Sequence, residues 1–436
     1  MIQSSKRNSN SLRFLYIFNM LPIVSMLVYY YTHFLEGTYS FVIPLGLMTV
    51  WFFLSVLTKN VQGLLFNKVS IWWFAYLFLC IFMVLAGFSS TNLNYVISRL
   101  PIYLIPALGY FVIRHYNRKE KIILLTAFFV IYFANLVYNI FLGIQIPGIF
   151  EELESTEESI EFGIMMNIAS TSFIVVGYWL IGVLLIGTLV IRQKKWKTIC
   201  LLFVAPIAYY MLFQNTRGTA ILLLMAEIVG LFLAYNEPKN IGNRRLYYVF
   251  SIAMLAIVTL ILFIPLMSWI LENIQSERLA DRFNDLLDFG KSGGDTSKVS
   301  EGSFAQRMLL AQTSLNTFLS SPLSILIGIG DHSQAFGGDL IKSGIGNHSE
   351  FIDVLARYGF VGAFVFYKIM RSYYAMLSEL TTKRMLLKYV NVIYVIFLLS
   401  GFFNNIFLYT MLLFLFLVCP IMVELLCSKI NYSNGK

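Results

Sequence analysis

Apolar runs near twenty residues long, separated by short polar stretches, set the pattern of this 436-residue chain. They fall near 13–32, 38–57, 69–88, 94–113, 121–146, 163–191, 198–213, 218–235, 246–271, 358–378, 388–404 and 406–427. A helix rises about 1.5 Å per residue, so about twenty residues cross a hydrocarbon core of about 30 Å. Lipid offers the backbone no hydrogen bonds, so each run must satisfy its own N–H and C=O groups as a helix. The pattern predicts an all-α polytopic membrane protein of about twelve transmembrane helices. The first run begins after Arg13, lacks a small-residue cleavage pattern and leads at once into another, so it reads as a membrane helix rather than a signal peptide. Between the last two runs, Asn404-Asn405 must turn the chain with almost no loop.

One interval breaks this rhythm. Residues 272–357 form a single long loop between the ninth and tenth spans, and a loop of that length in a tight architecture is usually functional or disordered. The chain thus divides into 1–271 (helices 1–9), 272–357 (the loop) and 358–436 (helices 10–12 and a C-terminal tail). Within the loop, Leu279, Phe283, Leu286 and Leu287 share one face of an amphipathic helix over 276–289. Gly290 to Ser297 has linker composition. Ser303 is placed to cap a second helix reaching about 319, closed off by Pro322. A Gly-rich turn follows at 328–330, and a short helix from 349 carries Asp353 and Arg357 at i,i+4 spacing.

Composition sharpens the class. Hydrophobic residues make up 58% of the chain and charged residues 13%, with a mean hydropathy of +0.73, which excludes an ordinary soluble domain. The net charge of +9 does not point to nucleic acid, because most of the charges lie in short loops between apolar runs. Their distribution instead sets orientation. Lys6, Arg7 and Arg13, then Arg114, Arg118, Lys119 and Lys121, then Arg192 to Lys197, Arg244, Arg245, Lys383 and Arg384 all fall on one side, which is the cytoplasmic one. Both termini then lie inside and residues 272–357 outside, with Glu151, Glu152, Glu154, Glu157, Glu158 and Glu161 in another outer loop. Cys80, Cys200, Cys419 and Cys427 sit in or near apolar runs and form neither a disulfide framework nor a zinc spacing.

Candidate chemistry gathers on that outer side. Arg217 stands between two spans with almost no loop, where a guanidinium can hold a phosphate by paired hydrogen bonds or simply snorkel to lipid headgroups. Arg307 lies on the second loop helix, and Arg278, Arg282 and Arg357 are weaker cases of the same kind. His348 can accept a proton from a sugar hydroxyl at neutral pH. Glu350, two residues on, is either an alternative base or an orienting carboxylate, and His332 competes with His348. Asp281, Asp285 and Asp288 share a helical face, which a solvated surface explains as well as a divalent ion does, so no metal site is assigned. Glu227 falls mid-span, where a charge is costly and usually faces the bundle interior. There is no P-loop, no His-Glu-x-x-His and no cysteine nucleophile pattern, so neither nucleotide use nor any cofactor is expected.

Taken in order, Arg217-Gly218 between spans, a long outer loop with Arg307, Pro322 followed by Gly328-Ile329-Gly330, then His348 and Gly359-Phe360-Val361-Gly362 opening the next helix resemble the O-antigen ligase and polymerase superfamily of bacterial envelope enzymes. The likeness covers roughly 214–365, and the N-terminal half matches only as a hydrophobic array. Family members commonly carry His-Asn before the apolar helix, whereas the order here is Asn347-His348-Ser349. The resemblance implies glycosyl transfer at the outer face of the bacterial cytoplasmic membrane, with an undecaprenyl-pyrophosphate-linked saccharide as donor. Arg217 and Arg307 would bind the pyrophosphate and His348 or Glu350 would serve the acceptor hydroxyl, with Arg282, His332, Asn347, Gly359 and Gly362 in support. The enzyme would be a metal-independent, inverting glycosyltransferase. A polymerase joining repeat units for O-antigen, capsule or exopolysaccharide is the first expectation, with a ligase of finished glycan as the alternative. Its expected partners are the lipid-linked glycans, the bilayer, and a chain-length regulator and flippase of the same pathway. A flippase or other transporter is a third reading, but transporters more often show repeated halves and midplane charges, and here Glu227 is the clear midplane charge.

Overall fold

The computed structural model describes residues 3–32, 42–58, 66–146, 149, 171–214, 218–238, 247, 304–332, 343–381 and 384–433. Within them the chain is helical, without strands: α1 (Gln3–Thr32), α2 (Val42–Thr58), α3 (Ser70–Leu85), α4 (Leu93–Ser98), α5 (Leu100–His115), α6 (Arg118–Gln145), α7 (Thr171–Val190), α8 (Lys194–Tyr209), α9 (Gly218–Tyr235), α10 (Phe304–Phe318), α11 (Pro322–Ile327), α12 (Glu350–Leu380), α13 (Arg384–Phe403), α14 (Tyr409–Leu413) and α15 (Cys419–Ser433). Among the described residues six helical segments are long and apolar enough to cross a membrane. The chain is an all-α, multi-pass membrane protein. All of the expected run at 246–271 except Tyr247, and the amphipathic segment at 276–289, lie outside the described residues.

Burial orders the helices from centre to rim. In Ser172–Val190 and in Tyr409–Ser428, 83% of the best apolar window is buried by protein, against 17% in Lys194–Leu212. The first two are the axis of the bundle and the third faces outward along most of its length. Aromatic rings fill the centre: Tyr132 stacks on Phe173 with centroids 4.2 Å apart, and Trp73 meets Phe407 at 4.5 Å. Helices without an aqueous driving force associate by close packing, and small residues permit it. At Gly109 on α5 a Cβ would stand 2.2 Å from the carbonyl oxygen of Phe416. That residue lies in the π-helical turn Phe414–Val418, which joins α14 to α15.

Two expected elements take a different form. The run at 94–113 is two helices, α4 and α5, meeting at Arg99 with φ −90° and ψ 0°. Pro101, in the first turn of α5, has no N–H to continue the ladder from α4, which accounts for the break. The helix before Arg217 widens into a second π turn, Tyr210–Gln214, where the Gln214 side chain donates to the Ile140 carbonyl at 3.0 Å.

The two ends of the bundle differ. At one end, where α3 begins and α5 and α12 finish, Lys68 and Arg114 pair with Glu379. Nearby, buried Lys121 donates to Glu424 at 2.7 Å and to the Ile113 carbonyl at 2.7 Å. At the other end, where α3 finishes, α12 begins and α13 gives way to α14, lie the turn at 86–92, helices α10 and α11, and the segment 343–349.

Candidate active site at the α13–α14 connection

The short connection 404–408 is the hub of that second end. Arg307, one turn into α10, donates from Nη1 to the Phe403 carbonyl at 3.0 Å and to Asn404 Oδ1 at 3.2 Å. The segment carrying His348 is tied to the same place. Asn405 donates from Nδ2 to the Asn347 carbonyl at 2.5 Å, the Ser349 hydroxyl reaches the Gly401 carbonyl at 3.5 Å, and the Glu350 amide reaches the Asn404 carbonyl at 3.4 Å. Arg307 and the residues on both sides of His348 therefore share one support, although they are far apart along the chain. His348 itself is half-buried.

The loop before His348 is built to hold one shape. Asn347 has φ +53°, a left-handed conformation that asparagine tolerates better than most residues. Ser314 on α10 accepts from the Gly346 amide at 2.8 Å and donates to Asp353 Oδ1 at 2.6 Å. The other oxygen, Asp353 Oδ2, accepts from the Ser349 amide at 3.0 Å. This carboxylate closes the first turn of α12, where the orphan N–H groups favour an acceptor.

Behind the loop lies a buried charge cluster. Arg357, Glu350, Asp353 and Asp331 are each no more than 8% exposed. Arg357 Nη1 stands 3.9 Å from Glu350 Oε1, Arg357 Nε stands 3.7 Å from Asp331 Oδ1, and Arg357 Nη2 donates to Asn347 Oδ1. Glu350 Oε2 accepts from the amides of Ile406 and Phe407 at 3.1 and 3.2 Å. These groups precede the apolar run that starts at 358. Burial pushes the carboxyls of Glu350 and Asp353 up from their ordinary values, and Arg357 opposes that shift. The surrounding carboxylates hold the Arg357 guanidinium firmly charged despite its burial.

Gly359 ends this short helix and opens the span that follows. Its φ of +59° and ψ of −154° break α12 into two pieces, and a Cβ there would lie 2.4 Å from the backbone of Leu326. Helix α11 and the turn after it dock on this kink: the Ile329 amide donates to the Ala356 carbonyl at 3.0 Å, and the Gly330 amide to the Arg357 carbonyl at 2.9 Å. The capping box of Ser321 and Ser324, with Pro322 in the first turn, starts α11 at the right place. Gly362, one turn after the kink, packs on the Cβ of Tyr358.

The structure thus ties Arg307, Asn347 and Glu350 to residues 403–407, with His348 between the last two in the chain, while Gly359 packs on Leu326 and Gly362 on Tyr358. His332 is half-buried beside Asp331, with Nδ1 3.3 Å from the Gly330 carbonyl. Arg217 and Arg282 lie outside the described residues, as do Asp281, Asp285 and Asp288. Among the described residues no group of three or more His, Cys, Asp and Glu is arranged to hold a metal. Glu350 is a buried carboxylate with Oε2 held by two backbone amides and Oε1 3.9 Å from Arg357 Nη1. In the sequence Arg357 is one of the weaker arginines, and nothing there singles out Asp331, Asn405 or Arg99 as site residues. An i,i+4 pair with Asp353 was the visible signal for Arg357; nothing local marked the others.

Residues 202–367 match the family model described as O-antigen ligase. The matched stretch contains Arg217, Arg307, Asp331, His348, Arg357, Gly359 and Gly362, but neither Arg99 nor Asn405. No curated protein matches the chain. The match supports the likeness of this domain to the O-antigen ligase and polymerase superfamily, whose members are glycosyl-transferring enzymes.

Proposed function

We propose that the protein is a polymerase that joins undecaprenyl-pyrophosphate-linked repeat units at the outer face of the bacterial cytoplasmic membrane. The observation that carries this reading is the shared support of Arg307 and the His348 segment on residues 401–405. In this reading Arg307 is the cation suited to a pyrophosphate and His348 the group suited to a hydroxyl. In this reading Arg217 and Arg307 hold the pyrophosphate of the donor and stabilise charge as the lipid leaves. His348 takes the proton from the acceptor hydroxyl as its oxygen attacks the anomeric carbon. Attack opposite the departing pyrophosphate inverts that carbon. Glu350 and Asp353 keep the loop in register, and Asn347 and Arg357 fix the backbone on which His348 stands. The donor is already activated, so neither nucleotide nor metal enters the reaction. The Lys and Arg asymmetry favours cytoplasmic termini and an outer site.

The test is the lipid-linked glycan profile of a strain lacking the gene. Single repeat units should accumulate on the lipid. Accumulated long chains would instead make the protein a ligase of finished glycan, and loss of outward-facing repeats would make it a flippase.

A further inference from the structure

Helix α12 crosses the bundle from the His348 end, through the kink at Gly359, to Glu379 at the other end. One strip of it is not covered by protein. Phe360, Phe364 and Tyr367 are 58%, 55% and 56% exposed. Arg371, one turn further on, is exposed as well, and Lys368 is half-buried beside Tyr367. Trp72 on α3 borders the strip, with its ring 6.0 Å from that of Phe364.

The strip holds two cations where lipid tolerates them least. In the apolar run 358–378, Lys368 stands at the centre, about 15 Å from either end, and Arg371 about 10 Å from the nearer one. Ionisable groups at such depth almost always face the bundle interior or a water-filled cavity and pair with a partner. Here, among the described residues, neither cation has a carboxylate partner. Glu379, further along the same helix, is taken by Lys68 and Arg114. Lysines near helix ends escape by stretching to the headgroups. The Lys368 ammonium instead lies over the rings of Trp72 and Phe364, 5.3 and 5.2 Å from their centres, and so stays at mid-span.

The chain has no carboxylate of its own to offer this strip. Its twelve apolar runs contain two acidic residues, Glu227 and Glu424. Glu227 is 0% exposed, and Glu424 accepts from Lys121 at 2.7 Å. A second copy brings the same two groups, so pairing between copies does not satisfy Lys368 and Arg371.

We propose that the α3–α12 face is a docking surface for a transmembrane helix of a different protein, one that carries a carboxylate near its middle. That carboxylate meets the Lys368 ammonium and the Arg371 guanidinium, one turn apart on α12, and Phe364, Tyr367 and Trp72 pack against the apolar residues on either side of it. Charge complementarity is worth most at this depth, because each unpaired charge in hydrocarbon is costly. The surface is separate from the His348 segment, and the proposal does not depend on the glycosyl-transfer reading.

The test uses the purified full-length protein in phosphatidylcholine vesicles and a synthetic transmembrane peptide of leucine and alanine with one central glutamate. A dansyl group on the peptide takes up energy from the protein's tryptophans, of which Trp72 borders the strip. The glutamate peptide should associate about tenfold more tightly than the same peptide with a central glutamine, because it alone brings the opposite charge. Lys368→Gln and Arg371→Gln should each shrink that difference, and the double variant should abolish it. Arg371→Lys keeps the charge and should keep most of the difference, which also serves if the glutamine variants do not fold. Each variant should melt no lower than wild type, since the exchanged side chains make no ion pair in the protein. Equal association of the two peptides with wild type overturns the proposal, as does a preference for glutamate that survives in the double variant. Vesicles containing phosphatidylglycerol separate a lipid from a protein partner. If that lipid displaces the glutamate peptide from wild type at equal mole fraction, the cations serve lipid phosphate and the proposal falls. Retention of the peptide under those conditions supports the helix partner.

Discussion

Asn405 donates its side-chain amide to the backbone carbonyl of Asn347, the residue before His348, at 2.5 Å. The contact joins the connection between α13 and α14 to a loop 58 positions earlier in the chain. Asn405→Ala removes one hydrogen bond, worth about 1 kcal/mol of stability, so protein levels should remain near normal. Transfer should fall about tenfold, because a loosened loop places His348 less well. Asn405→Asp should be worse, since it sets a carboxylate oxygen against the carbonyl it replaces the donor for. Glycan chain length on a gel, with protein level measured alongside, reads both variants. Wild-type polymer from Asn405→Asp would mean that the loop is held by other contacts.

Arg217 and His348 test the chemistry more directly. A lysine supplies charge without the planar fork, so Arg217→Lys should already shorten the glycan. His348→Ala should lower transfer on the order of a hundredfold or more. Each protein should reach the membrane at normal levels. Full-length polymer from His348→Ala would remove the proposed base and turn attention to His332.

The raised carboxyl of Glu350 sets a sign for pH dependence. Its ordinary value is 4.5 and burial pushes it up. Between the ordinary and the raised value the folded state holds more protons than the unfolded state, so stability falls as pH rises through that window. Above the folded value the curve flattens. Melting temperature in detergent, measured from about pH 4 to pH 8, should decline over the lower part of this range. Glu350→Gln removes the titrating group and should flatten its share of the slope. An identical profile for the two proteins would show that Glu350 does not carry it.

Orientation has its own test. A cysteine replacing Asp295 should react with an impermeant thiol reagent in intact cells, and one replacing Lys195 should not. Labelling at 195 would reverse the topology and move the site to the cytoplasmic face.

Metal independence predicts that the purified enzyme keeps its activity in EDTA. Loss of turnover that magnesium or manganese restores would return Asp281, Asp285 and Asp288 to the mechanism.

The helices were legible in the sequence because their cause is local. An apolar run of about twenty residues has few alternatives in lipid, and each backbone group finds its partner four residues away. The order of Arg217, Arg307, His348 and Gly359-x-x-Gly362 was legible for a similar reason, since spacing along one chain is enough to carry it. Tertiary structure decided what those residues meet. The role of Asn405 depends on Asn347 arriving beside it, and two asparagines at a tight turn look the same with or without that neighbour. Arg357 reads as one of several loop arginines until α11 docks on the kink at Gly359 and buries it against Asp331 and Glu350. Arg99 stands at a helix corner more than two hundred residues before Asp331, whose Oδ2 lies 3.8 Å from its Nη1, and no local periodicity relates them. Helix formation depends on each residue and its near neighbours, whereas a buried charge pair or a cavity wall depends on groups that only packing brings within a few ångströms.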